Sequence, residues 1–226
     1  MEKQLKFVEL QELKETKMLE NYEAIIFDLD GTLWDSTHQA VHVWNRVLEK
    51  HPGMRKPATQ EEVAGYMGKT PEEIAVLLLP NETEETALKI MDEISIEECV
   101  YLAEYGGRLY GDVRAVMETL KKKHRLFIVS NCQSGYVQSF LQYHQLGDLF
   151  EDFEMSGQTG LPKAENIRLI MERNQVKSAV YVGDTEGDEK AAHTAGIPFI
   201  HAAYGFGKAK NPEGTIRILN DLLNEN

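Results

Sequence analysis

Four short apolar runs, each followed by polar residues or glycine, are spaced along the chain at residues 23–27, 125–129, 179–182 and 197–200. This pattern is typical of buried parallel strands that lead into loops. Around the last three runs, apolar residues recur with a helical period at about 112–123, 135–145, 164–174 and 187–195. The alternation predicts an α/β fold with a doubly wound, parallel-sheet (Rossmann-like) core, in which sites form at the carboxyl ends of strands.

Residues 36–107 break this alternation, because helical patterns follow one another at about 37–50, 60–66, 71–79 and 84–105. We therefore expect an inserted α-helical cap at 36–107 and a catalytic core at 21–35 and 108–226. Asp35-Ser36 and Gly106-Gly107 are the predicted hinges, since the first pair suits a helix N-cap and the second is flexible. Residues 36–70 carry five Lys/Arg against three acidic residues, whereas residues 71–107 carry one against ten. The first half of the cap is thus expected to face an anion.

Residues 1–20 form a predicted N-terminal extension ahead of the first strand. Apolar residues stand among many charges there, and the pattern fits either an amphipathic helix or a loose tail. Met18 lies close to the first strand, so one hypothesis is that it serves as a second start and the leader is dispensable.

Composition narrows the classes of partner. The formal net charge of −13 disfavours binding to nucleic acid, because no basic stripe is present to neutralise phosphates. The sequence contains no run of eighteen apolar residues and no secretory leader, so we expect no membrane partner and a cytoplasmic location. The two cysteines, Cys99 and Cys132, are far apart in the sequence and are predicted to be free thiols. An anionic substrate must then be bound locally, by a metal, backbone amides or a few lysines.

The densest group of candidate catalytic residues is DLDGT at the end of the first predicted strand, with Asp28, Asp30 and Gly31. In an extended backbone the two carboxylates point to the same side, and the glycine then lets the chain turn. One carboxylate can act as a nucleophile and the other as an acid or base. A nucleophilic carboxylate that faces phosphate needs its charge offset, for which Mg²⁺ with oxygen ligands is suited. The alternative is an acidic turn that only caps a strand.

Three further polar elements fall at or near the later strand ends. Ser130 and Asn131 offer a hydroxyl and an amide that suit a phosphoryl oxygen. Lys163 stands just before a predicted helix and could neutralise charge on a transferring phosphoryl group. Asp184 and Asp188 place two carboxylates four residues apart, where a divalent cation could be shared with the first strand. Taken singly, these elements are also compatible with a loop, a surface lysine and a capped helix start.

DLDGT, VSN, a lysine and GDTEGD, in this order, resemble the haloacid dehalogenase superfamily in its phosphatase branch with a helical cap, which includes phosphoglycolate phosphatase-like and β-phosphoglucomutase-like members. The resemblance spans about residues 24–201. It implies that Asp28 is the nucleophile and that Asp30 protonates the leaving oxygen and then deprotonates water. One departure is that Ala164 and Asn166 stand where these phosphatases often have prolines after the lysine.

The resemblance also implies roles for the remaining residues. Mg²⁺ would be bound by the Asp28 carboxylate, the Asp30 backbone carbonyl and Asp184. Asp188 would orient the metal shell or Lys163, and Thr32 would order the loop through a side-chain hydrogen bond. The phosphoryl group would be held by Ser130, Asn131 and Lys163, and Thr32 is a further candidate for contact with phosphate.

The predicted function is a Mg²⁺-dependent phosphatase that hydrolyses a small phosphorylated metabolite through a phosphoaspartyl intermediate. Phosphoglycolate, a sugar phosphate and a nucleotide-like monoester all remain candidates. The alternatives are a sugar phosphomutase and a non-catalytic, phospho-accepting signalling protein. Asp30 disfavours the signalling protein, because an acid/base beside the nucleophile would hydrolyse the acyl phosphate. We expect a monomer or a small homo-oligomer.

The segment at residues 65–70, which contains Gly68-Lys69-Thr70, ends like a phosphate-binding P-loop. It lacks the first glycine of that motif and follows a predicted helix instead of a strand. We interpret it as the substrate loop of the cap, with Lys69 as a candidate for substrate recognition. An exposed turn is the alternative.

Overall fold

The computed structural model describes residues 19–223, so the predictions for residues 1–18 lie outside the described part of the chain. The core contains six strands: β1 (Ala24–Phe27), β4 (Arg125–Ser130), β5 (Asp152–Met155), β6 (Ala179–Gly183), β7 (Phe199–Ala202) and β8 (Gly214–Ile216). They form a parallel sheet with the order β5-β4-β1-β6-β7-β8. The central position of β1 brings the end of this strand next to the ends of β4 and β6.

Helices cover both faces of the sheet, and β1 shows why. Ile25 and Phe27 belong to one buried apolar cluster, whereas Ala24 and Ile26 belong to another on the opposite face. The core helices are α5 (Val113–Leu120), α6 (Tyr136–His144), α7 (Ser156–Thr159), α8 (Lys163–Arg173) and α9 (Glu186–Ala195), with a 3₁₀ helix at Leu219–Leu223. The predicted doubly wound α/β core is thus confirmed.

A two-stranded antiparallel ribbon, β2 (Trp34–Asp35) with β3 (Arg108–Leu109), connects the core to the helical cap. Between its strands lie α1 (Thr37–Leu48), α2 (Gln60–Ala64), α3 (Pro71–Leu78) and α4 (Glu84–Tyr105). These helices share a buried apolar cluster of their own. The helical cap is therefore present, while the domain boundaries stay predictions.

The sequence missed the short strands β5 and β8, which lie at the two edges of the sheet, and placed β7 two residues too early. An edge strand needs fewer apolar residues than a central strand. The sequence of β5, for example, is DFEM. No helix within residues 19–223 is long and apolar enough to cross a membrane.

Candidate active site

Asp28 follows β1 directly and is buried. Its backbone N–H donates to the carbonyl oxygen of Val182 in β6, over 2.8 Å, so the loop starts from a fixed position in the sheet. Lys163 donates from Nζ to Asp28 Oδ1 at 2.8 Å and to Asp188 Oδ1 at 2.5 Å. The structure therefore brings together three predicted site residues that are separated by up to 160 residues in the sequence.

Lys163 is only 5 % exposed, which excludes the alternative of a solvated surface lysine. It is the first residue of α8, and the turn before it is closed by Asn166. Asn166 Oδ1 accepts a hydrogen bond from Thr159 Oγ1 at 2.8 Å, and its Nδ2 donates to the carbonyl oxygen of Leu161 at 3.1 Å. A buried asparagine thus orders the backbone at a position where the resemblance leads one to expect a proline.

Asp30 lies in a different environment from Asp28. Ser36 Oγ and Tyr136 Oη each donate to Asp30 Oδ1, both over 2.9 Å. Burial, followed by the charge of Asp28, raises the pKa of Asp30 to about 7, although the two hydroxyls oppose the shift. This carboxyl group is therefore suited to donate and accept a proton near neutral pH.

The sequence did not identify Ser36 or Tyr136 as partners of Asp30. We expected Asp35-Ser36 to cap the first cap helix, and Ser36 is the N-cap of α1, but its side chain makes no capping bond. Asp35 Oδ1 accepts from the Thr37 backbone N–H at 3.0 Å instead. The signal for Ser36 was its closeness to DLDGT, whereas Tyr136 follows β4 by six residues and carried no motif.

The nucleophile candidate keeps a lower pKa than its neighbour. Burial raises the pKa of Asp28 to about 6, while the positive charge of Lys163 acts in the opposite direction. Asp28 is thus the more readily ionised of the two carboxyl groups of DLDGT.

Asp28, Asp184 and Asp188 form a cluster of buried carboxylates, one oxygen of each lying within 4.8 Å of the others. Burial, followed by the charges of Asp188 and Asp28, raises the pKa of Asp184 to about 8. Asp184 Oδ1 is buried and has no hydrogen-bond partner among residues 19–223. Three converging carboxylates and an orphaned oxygen fit a hard divalent cation with oxygen ligands. The Asp30 carboxyl group is not part of this cluster.

The chain packs tightly around Asp184. Gly31 has φ +82°, and a Cβ built there would lie 2.2 Å from Asp184 Oδ2, so only glycine fits. On the other side, the backbone N–H groups of Phe206 and Gly207 donate to Asp184 Oδ2 at 2.7 and 3.2 Å. These contacts fix the orientation of the carboxylate and direct Oδ1 away from the amides.

Thr32 is fully buried, but its Oγ1 forms no hydrogen bond within the described part of the chain. The predicted ordering of the loop by this side chain is therefore not found. Tyr204 Oη instead donates to the backbone carbonyl oxygen of Thr32 at 2.8 Å. The loop after β1 is held through its backbone, and a phosphate-binding role for Thr32 stays a prediction.

A cavity of about 40 Å³ lies between the core and the cap. At 10–15 Å³ for each water, it has room for roughly three water molecules. Asp28, Asp30, Ser130 and Asn131 line it from the core, as predicted for residues that act on one substrate. Its cap wall includes Trp44, Tyr66, Met67, Gly68, Lys69, Ile74, Met91 and Glu98. Lys69 lines the cavity while remaining exposed to solvent, and Glu98 was not identified from the sequence.

The chain is similar to known phosphatases and hydrolases over most of its length. A phosphoglycolate phosphatase from Vibrio parahaemolyticus is 27% identical over 231 aligned positions, covering 90% of this chain and 96% of that protein. Another, from Haemophilus influenzae, is 28% identical and covers 82% of this chain and 87% of its own length. The crystal structure of a haloacid dehalogenase-like hydrolase from Bacteroides fragilis superposes with a TM-score of 0.79 at 26% identity, covering 89% of this chain and 100% of that one.

A family model also matches this chain. The model for haloacid dehalogenase-like hydrolases matches residues 25–202, which include Asp28, Lys163 and Asp184. The match includes residues 36–107, which hold the cap helices, and the core from Ile25 to the end of β7. The chain therefore belongs to the haloacid dehalogenase-like hydrolases.

Proposed function

We propose that this phosphoric monoester hydrolase cleaves a small phosphorylated metabolite by attack of the Asp28 carboxylate, with Mg²⁺ as cofactor. The observation that carries the proposal is the difference between two carboxyl groups that line one cavity. Asp28 contacts the Lys163 ammonium, whereas Asp30 contacts the hydroxyls of Ser36 and Tyr136. One group is held in its ionised form, and the other is poised between acid and base.

In the first step, an Asp28 oxygen attacks phosphorus while Asp30 donates its proton to the leaving oxygen, which departs as an alcohol. In the second step, Asp30 takes a proton from water, and this water cleaves the aspartyl phosphate to release inorganic phosphate and restore Asp28. Lys163, Ser130 and Asn131 hold the phosphoryl oxygens during both steps.

Asp28 and Asp184, together with the Asp30 backbone carbonyl, would hold the cation. Asp188 would act through Lys163, to which it is hydrogen-bonded. When bound, Mg²⁺ supplies positive charge that offsets the phosphoryl oxygens and the buried carboxylates. The acid cluster around Asp184 supports this assignment, since burial, followed by the like charges of Asp188 and Asp28, raises the pKa of Asp184 and a cation would offset both effects.

The proposal is tested by phosphate release from a panel of phosphoglycolate, sugar phosphates and nucleoside monophosphates, with Mg²⁺ and with chelator. We expect release that depends on Mg²⁺. Conversion of a sugar phosphate into its isomer without phosphate release would instead establish a mutase. A phosphoaspartate that persists in Mg²⁺ would establish a phospho-accepting protein.

A further inference from the structure

Glu98, on the cap helix α4, is a buried carboxyl group without a basic partner. It is 4 % exposed, and no cation among residues 19–223 pairs with it. Its hydrogen bonds come from neutral donors: Trp44 Nε1 lies 2.9 Å from Oε1, and Gln133 Nε2 lies 2.6 Å from Oε2. Burial of an uncompensated carboxylate costs free energy. A glutamine would avoid that cost and keep both contacts if the Gln133 amide turned to accept from it, so packing alone does not account for the charge.

Glu98 lines the same cavity as Asp30. The hydrogen-bond donors of the two groups line this cavity as well: Gln133 donates to Glu98, and Tyr136 donates to Asp30. Since Asp30 is the proposed proton donor to the leaving oxygen, Glu98 lies on the side of the cavity that receives the leaving group. The carboxylate offers about four acceptor positions, of which Trp44 and Gln133 use two.

The basic groups near the cavity do not neutralise Glu98. Lys163 is engaged by Asp28 and Asp188, and Lys69 is exposed to solvent. The buried part of the cap wall therefore presents a hydrogen-bond acceptor of negative character. A hydroxyl group on the leaving group would donate to it, whereas a carboxylate would be repelled.

We propose that Glu98 is a specificity-determining residue that accepts a hydrogen bond from a hydroxyl of the leaving group, so that this enzyme selects phosphomonoesters of neutral, hydroxyl-bearing alcohols over those of hydroxy acids. Trp44 and Gln133 are positioning residues that hold its carboxylate. The inference rests on the proposed function and narrows its substrate class. Phosphoglycolate, after which the sequence relatives are named, belongs to the disfavoured class.

The test uses two substrates of nearly equal size. At the end remote from phosphorus, phosphoglycolate carries a carboxylate and 2-hydroxyethyl phosphate carries a hydroxymethyl group. The assay is run at pH 8 with Mg²⁺, above the pKa of about 7 that burial gives Glu98. We expect kcat/KM for 2-hydroxyethyl phosphate to exceed that for phosphoglycolate by at least about tenfold, the size of one hydrogen bond to a charged group.

Glu98→Gln keeps the shape of the side chain and removes its charge. We expect the kcat/KM values of this variant for the two substrates to differ by no more than about threefold, because kcat/KM rises for phosphoglycolate and falls for 2-hydroxyethyl phosphate. Glu97→Gln is the matched control, since Glu97 pairs with Arg46 on the outer side of the cap, and its ratio stays that of the wild type. A purely structural role for Glu98 would change both substrates in parallel.

Two outcomes overturn the inference: a wild-type preference for phosphoglycolate, or a ratio that Glu98→Gln leaves unchanged. Hydrolysis of p-nitrophenyl phosphate, which carries neither test group, separates the two proposals. If that compound is cleaved while the pair shows no preference, the inference alone fails. If neither these three compounds nor the panel of sugar phosphates and nucleoside monophosphates releases phosphate, the proposed function fails and the inference fails with it.

Discussion

Asn131 of the core donates a hydrogen bond from Nδ2 to the backbone carbonyl oxygen of Gly68 in the cap, over 2.8 Å. The orientation of this amide is fixed, because its Oδ1 accepts from Ser156 Oγ at 3.0 Å. The residue proposed to hold the phosphoryl group thus also contacts the cap segment at residues 65–70. We infer that phosphate binding and docking of this segment are coupled through one side chain.

Asn131→Ala removes the contact with Gly68 and the proposed contact with the phosphoryl group. We expect KM to rise and kcat/KM to fall about tenfold or more, because the lost hydrogen bond to the charged phosphoryl group costs about 1.5–3 kcal/mol. Steady-state kinetics and the inhibition constant for inorganic phosphate measure the effect. Ser156→Ala is the control, since it loosens the amide and keeps the donor, so its loss should be smaller. Unchanged phosphate inhibition in Asn131→Ala would remove this residue from the phosphoryl site.

Asp28→Asn replaces the proposed nucleophile with an amide of the same shape. We expect turnover to fall by at least about 10³-fold, as for the loss of other nucleophiles, while the fold is retained. Phosphate release measures the activity, and circular dichroism checks the fold. Lys163 keeps its contact with Asp188 in this variant, which limits the loss of stability. Activity near the wild-type level would refute the assignment.

The dependence of kcat/KM on pH should be bell-shaped. Attack requires ionised Asp28, so the rate rises with pH through the pKa of about 6. Proton donation requires protonated Asp30, so the rate falls as pH rises through about 7. A bound cation favours the ionised form of Asp28 and extends the acid limb to lower pH. A rate that still increases above pH 9 would contradict the role of Asp30.

Tyr136→Phe should displace the alkaline limb of that profile upward. The Tyr136 hydroxyl donates to Asp30 and stabilises its ionised form, so its removal raises the pKa of Asp30. The measurement compares the pH profiles of kcat/KM for the wild type and the variant. Tyr143→Phe, on the exposed side of the same helix, is the control and should leave the profile unchanged. A downward displacement in Tyr136→Phe would contradict the hydrogen-bond assignment.

The stability of the metal-free protein should decrease between pH 6 and pH 9. The pKa of Asp184 is raised from 3.8 to about 8 in the folded state, so its favourable contribution is complete below its unfolded pKa and is lost as pH rises through about 8. Mg²⁺ at a hundredfold excess over its Kd should raise Tm by about 5 °C or more. This gain should be larger at pH 9 than at pH 6, because protons compete with the cation.

Asp184→Asn is the variant for this experiment, since it keeps the size of the side chain and removes the charge. Its Tm in chelator should depend less on pH than that of the wild type, and Mg²⁺ should raise it by less. Differential scanning fluorimetry at both pH values measures these shifts. An equal response to Mg²⁺ in the wild type and the variant would exclude Asp184 as a ligand.

The central strands and their terminal motifs could be predicted because β1 and β6 are buried on both faces. Such strands are apolar throughout, so Asp28 and Asp184 stand out at the points where they end. The edge strand β5 reads DFEM and carries no comparable signal. Its pairing with β4 is a property of the assembled sheet.

The partners of the predicted residues could not be predicted in the same way. Tyr136 reaches Asp30 because α6 begins beside the ribbon that carries Ser36, and Glu98 reaches the cavity because α4 packs across α6. Both contacts depend on how helices from distant parts of the sequence pack. For Thr32 the resemblance implied a hydrogen bond from the side chain. The hydroxyl is buried without a partner among residues 19–223, and the backbone carbonyl of Thr32 accepts from Tyr204 instead.

The order of the sheet also determines when the site can form during synthesis. Both strands that flank β1 come about a hundred or more residues later: Ala24 pairs with Arg125 on one side and Ala179 on the other. A growing chain therefore carries Asp28 long before the strand that brings Asp184 has been made. These long-range pairings close late, after the cap helices have emerged. An incomplete polypeptide thus lacks the acidic cluster, so the chemistry proposed for Asp28 requires a chain whose translation has passed residue 188.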